Sequence, residues 1–123
     1  MKTVMIDGEK YVRESDISGE TMATKVDGMP FMMVRTYSAG VFAGYVEKLE
    51  GRHAVLRKAR RIWYWDGAAS LSELAVKGTS KPENCKFPCE VERVELTEVI
   101  EMIDITAAAK RSIESVPVWT AHK

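Results

Sequence analysis

The sequence predicts a small α+β domain, an antiparallel and strongly bent sheet or partial β-barrel decorated by two short helices. Three observations predict it. The chain has 123 residues, enough for one domain with an ordinary core and too few for two. Apolar residues alternate with polar ones in several runs bounded by turn residues, the pattern of strands with one buried face. Helix-start signals stand at Ser70 and Thr106.

Taken in order, Val4 to Arg13 reads as a small hairpin whose apolar arms flank Asp7-Gly8. Residues 14–30 are polar, carry Gly19 and Gly28, and show no sustained periodicity. They are expected to form a mobile linker or an arm that docks on another subunit, so residues 1–30 read as a hairpin and flexible arm. The binding domain is expected over 31–119, with 120–123 a tail. Within it, Phe31 to Ser38 is a strand, Ala39-Gly40 a break, and Val41 to Lys48 a second strand. Leu49-Glu50-Gly51-Arg52 turns the chain into a third strand, Val55 to Trp65, making an antiparallel hairpin over 41–65. Asp66-Gly67 is a turn, and Ser70 three residues before Glu73 is a capping box. The helix it opens ends at Gly78 and is followed by a polar loop to Glu83. Cys89 to Ile105 reads as a further strand region with a bulge near Thr97-Glu98. Thr106 caps a last helix, Ala107 to Ser115, stopped by Pro117.

Eighteen basic residues balance eighteen acidic ones. A neutral chain lacks the global positive field of a non-specific nucleic-acid binder, so no long nucleic acid is expected and any anion site must be local. No apolar run approaches membrane-spanning length and the N-terminus has no hydrophobic signal core, so the expected location is the cytoplasm. The two cysteines, Cys85 and Cys89, and two histidines, His53 and His122, do not make a four-ligand zinc set, and no metal or cofactor is expected. The cysteines read as ordinary small residues before a strand. Nor is an enzyme expected: there is no legible Ser-His-Asp grouping, no nucleophile elbow, and the acidic residues alternate as a solvated face does.

The most distinctive chemistry lies between Arg57 and Ala75. On a regular strand, Val55, Arg57, Ala59, Arg61, Trp63 and Trp65 would share one face. Guanidinium groups offer forks to phosphate oxygens, and indoles offer flat surfaces to a base. The start of the helix at 68–72 adds free N–H groups that can receive an anion, a feature of any capped helix. The same aromatic and arginine residues equally suit a core strand or a subunit interface. A bulge in the strand would transfer the role to Lys58, Arg60 and Tyr64.

The blocks Arg-Thr-Tyr-Ser-Ala-Gly-Val-Phe-Ala-Gly at 35–44, Ala-Arg-Arg-Ile-Trp-Tyr-Trp-Asp-Gly-Ala-Ala-Ser at 59–70 and Lys-Pro-Glu-Asn-Cys-Lys-Phe at 81–87 resemble a family of small phage and prophage proteins. Ile6 to Val12 resembles a leader often joined to them. The chain is also similar to the phage Thoeris anti-defence sponges, which capture the cyclic ADP-ribose isomers made by bacterial TIR-domain enzymes and so silence host defence. That resemblance implies a non-catalytic, homo-oligomeric binder, a dimer or multiple of dimers, for a small cyclic nucleotide in the host cytoplasm. Some sponges also hold cyclic oligonucleotides at separate sites. The candidate ligand-binding residues, resting on chemistry and sequence position, are Arg35, Tyr37, Arg57, Arg60, Arg61, Trp63, Trp65, Asn84 and Phe87. The alternatives are a phage structural or protein-interaction module that uses the Trp/Tyr/Arg strand as an interface, and a small single-stranded nucleic-acid binder.

Overall fold

The computed structural model describes residues 21–121, so the expected hairpin at 4–13, the first part of the arm and the last two residues lie outside the described residues. Five strands and two helices follow in the order β1 (Phe31–Thr36), β2 (Val41–Glu50), β3 (His53–Arg61), α1 (Leu71–Lys77), β4 (Glu90–Leu96), β5 (Val99–Asp104) and α2 (Ala107–Ser115), with a 3₁₀ turn at Pro82–Asn84. The strands form one antiparallel sheet in the order β4-β3-β2-β1-β5. The fold is α+β. The sheet is not closed into a barrel, since the edge strands β4 and β5 do not pair.

The helices begin where their caps place them. Ser70 Oγ accepts from Glu73 N–H, while the Glu73 carboxylate accepts from Ala69 N–H. Gly78 ends α1 at φ +80°, a left-handed value that suits glycine, and a Cβ there would lie 2.3 Å from the Ser112 Cβ of α2. Thr106 Oγ1 accepts from Ala109 N–H and donates to the Val76 carbonyl, so one side chain caps α2 and ties it to α1.

Strand alternation divides the core. Met33 pairs with Ala43, and both join the cluster beneath the helices with Tyr45, Leu74, Ala75, Ala109 and Ile113. Val34 pairs with Phe42, and both join the opposite cluster with Leu56, Ala59, Leu96 and Val99. The near-continuous apolar run of β1 thus feeds both faces of an inner strand.

Two expectations change. The strand region 89–105 is two strands rather than one bulged strand. Thr97-Glu98 carries the chain from one edge of the sheet to the other, held by Tyr37 N–H donating to Glu98 O and Val99 N–H donating to Arg52 O. Residues 21–30, placed by sequence in the mobile arm, are hydrogen-bonded to the body: Ala23 N–H donates to Ile105 O, Ala107 N–H to Thr21 O, and Ala23 is part of the core. No helix among the described residues is long and apolar enough to cross a membrane.

Candidate functional site

The third strand does not carry one uninterrupted face. Lys58 adopts φ +50°, and the register with β2 slips so that Tyr45 opposes Arg57 while Ala43 opposes Arg60. One extra residue reverses the side-chain parity beyond it. Arg57 therefore lies across from Tyr45 of the helix-side cluster, and Arg61 across from Phe42 of the opposite cluster. The expected common face of Arg57, Arg61, Trp63 and Trp65 is thereby divided. The strand also ends at Arg61, before both tryptophans.

The four candidate arginines have different fates. Arg35 donates to Glu101 at 2.7 Å. Arg57 is held by Glu47 and Glu92, whose carboxylates raise its guanidinium above the usual value. Arg60 donates to the carbonyls of Pro88, Phe87, Ile113 and Val116 at 2.8–3.1 Å, a structural clamp, and burial lowers its guanidinium from the usual value. The Arg61 side chain makes no hydrogen bond or ion pair with another described residue. Its guanidinium carbon stands 4.5 Å over the Phe42 ring, which leaves the donors in its plane open.

Arg61 and Trp63 meet in a cleft of about 480 Å³ whose other walls include Phe42, Val91, Arg93 and Trp119. The Trp63 and Trp119 rings are near-parallel, 13° apart in plane with 6.4 Å between centroids. That is close to the ~7 Å limit for an aromatic pair, so the two indoles engage each other weakly. They are 61% and 43% exposed. Lys86 Nζ lies 5.5 Å over Trp119 and 5.7 Å over Tyr64, adding a second cation at the aromatic rim. Arg93 is engaged with Glu95 at 2.8 Å.

Trp119 was not among the residues singled out by sequence. It follows α2 on a short segment that pairs back on the chain: Val118 bridges to Phe87 in parallel, and Trp119 N–H donates to Phe87 O. Its only local signal is a tryptophan just beyond a helix-stopping proline.

The remaining candidates stand elsewhere. Trp65 packs on the helix-side core with Ala68 and Leu71. Phe87 is fully buried, and Asn84 donates to the Asp66 carboxylate at 3.0 Å. Tyr37 is 79% exposed and does not line the cleft that holds Arg61 and Trp63. The α1 start is already occupied by its own Glu73 carboxylate, with Asp66 close by, so it is not an open anion seat. Cys85 and Cys89 are free thiols, and Cys89 is at the edge of the Trp63 cleft.

Comparison with curated proteins and with solved structures gives no match. A family model does match, over residues 29–113, which takes in all five strands and most of α2. The chain accordingly belongs to the family described as a domain of unknown function, DUF6948.

Proposed function

We propose that the protein is a non-catalytic binder that takes a small nucleotide in the Trp63–Trp119 cleft. In the specific form the resemblance suggests, it is a phage-encoded sponge that sequesters a cyclic nucleotide immune signal, such as a cyclic ADP-ribose isomer, in the host cytoplasm. One observation carries the reading: a guanidinium with no hydrogen-bonding partner among the described residues, Arg61, shares a cleft with two near-parallel, half-open indoles. A base stacks on the indoles at roughly 1–3 kcal/mol per base, and a phosphate oxygen takes the Arg61 donors. We read the sheet as strongly bent, with this cleft on its concave side. Support comes from the two-residue link between its outer strands and from Val99 N–H bonding to Arg52 O.

Calorimetry with cyclic ADP-ribose isomers tests the site. A lost charge-assisted bond is worth roughly 1.5–3 kcal/mol, so Arg61→Ala should weaken binding about ten- to a hundredfold, as should Trp63→Ala and Trp119→Ala. Arg57→Ala, already engaged by two carboxylates, should leave affinity unchanged. Undiminished affinity in the three cleft variants, with melting temperatures intact, rejects the site. Ligand recovered unchanged after denaturing the complex supports sequestration, and turnover in excess of protein rejects it.

A second reading has its own observation. Trp63, Tyr64, Val91, Val118 and Trp119 are all large, apolar and exposed, the composition of an interaction patch. Homo-oligomerisation through such a patch is compatible with a duplicated ligand site. Light scattering decides it: a monomer mass at micromolar concentration removes the oligomeric reading.

A further inference from the structure

A second large cleft, about 420 Å³, lies under α2 on the helix-bearing side of the sheet, and the nucleotide reading makes no use of it. Its size falls in the range of about 300–1,000 Å³ typical of small-ligand pockets. Apolar groups make its floor and walls: Phe31, Ala43 and Tyr45 from the sheet, Ile113, Val116 and Val118 from α2 and the chain after it.

The rim carries two charges of each sign, and they are not equivalent. Arg60 is spent on four backbone carbonyls, and Glu114 is paired with Lys110. The side chains of Lys58 and Glu90 have no hydrogen bond or ion pair with any other described residue, Glu90 exerting a longer-range attraction on Arg60. Glu90 opposes Arg60 in the β3–β4 register, two positions along from Lys58, so the long lysine stem can bring both charges to one small molecule.

The backbone at Lys58 points the same way. It is the one non-glycine residue at positive φ inside a described strand, φ +50°, where a lysine pays a steric penalty that a glycine would not. Strain of this kind persists where surrounding structure imposes it, and it clusters at binding sites. A regular strand would set residue 58 on the same side as Leu56, in the opposite core cluster. The bulge instead aims it at the cleft beneath α2.

We propose that this cleft is a second binding site, for a zwitterionic small molecule with a large apolar side chain, the chemistry of a free amino acid such as phenylalanine. Its carboxylate meets Lys58, its ammonium meets Glu90, and its side chain lies on the Phe31, Tyr45 and Ile113 floor. A nucleotide does not suit the place, because its phosphates would face the carboxylates of Glu90 and Glu114, while Arg60 is already committed to backbone carbonyls.

The test is a titration of the full-length ¹⁵N-labelled protein with L-phenylalanine, N-acetylphenylalanine and phenylalanine amide, followed by NMR. Phenylalanine should shift the amide signals of Ala43, Ile113 and Val118, and each analogue lacking one charge should bind roughly tenfold more weakly. Lys58→Met should erase the preference for the free carboxylate, and Glu90→Gln the preference for the free ammonium. Lys58→Gly removes the ammonium and relieves the left-handed strain together, so it should melt at or above the wild-type temperature and fail to bind phenylalanine. Arg61→Ala should leave phenylalanine binding intact, which separates this site from the nucleotide cleft. No shifts at millimolar phenylalanine, equal binding of the three compounds, or undiminished binding by Lys58→Gly overturns the proposal.

Discussion

At the scale of single residues, neighbouring arginines with the same chemistry take opposite duties. Arg60 ties β3 to two other segments, through its contacts to Phe87 and Pro88 and to Ile113 and Val116 at the end of α2, and lysine cannot reproduce that planar fork. Arg60→Lys should cost about 2–4 kcal/mol in urea unfolding, whereas Arg61→Lys should leave stability within ~0.5 kcal/mol. Asp66 is a second such residue. Its carboxylate accepts first from Asn84 and then from Gly67 N–H, and both hold it below the ordinary carboxylate value. Because the folded value is depressed, its stabilisation is complete above the unfolded carboxylate value and is lost as pH falls through the folded one. Urea midpoints of wild type and Asn84→Ala should therefore differ at neutral pH and converge in acid. A gap that stays constant down to the acid end would remove this account.

At the scale of elements, turns and caps were legible because their signals sit within a few residues of the structure they specify. Ser70 with Glu73, Gly78, and Thr106 each act at their expected places. The strand bulge was a different matter, because a register slip is a relation between two strands. Gly44 explains how β2 accommodates it: a Cβ at that position would come within 2.9 Å of both Ala59 Cα and Cβ. Glycine is needed there for space rather than for an unusual φ. Gly44→Ala should destabilise the protein by about 1–3 kcal/mol, and Ala59→Gly added to it should restore only part, since the Ala59 backbone also crowds the site. Full tolerance of Gly44→Ala in thermal melts would mean that the two strands are not pressed together at the bulge.

At the scale of the whole molecule, the segment after α2 is a wall common to both clefts. Val118 lines the one under α2 and Trp119 the one beside Arg61, while the same stretch covers the fully buried Phe87. Ending the chain at Val116 should cost on the order of 2 kcal/mol by uncovering Phe87, and should weaken nucleotide and phenylalanine binding together. Trp119→Ala, which keeps the segment, should affect the nucleotide cleft alone. Loss of both activities in Trp119→Ala at unchanged stability would show instead that the two clefts are energetically coupled through that segment.

The sequence by itself determined the α+β class, the β2–β3 hairpin and both helices with their caps, since each is written in local periodicity and local hydrogen-bonding groups. It also singled out Arg61 and Trp63, two residues that the fold brings into one cleft. Only the tertiary structure decided which of the candidates stand together. A left-handed Lys58 moved Arg57 away from Arg61, Arg60 became a clamp on backbone carbonyls, Phe87 went to the core, and Thr97-Glu98 became a crossing between sheet edges. Trp119, remote in sequence, came to rest beside Trp63. The physical reason is that a side chain's face depends on pairing register and a cleft depends on contacts between distant segments, and neither is encoded in the spacing of neighbouring residues.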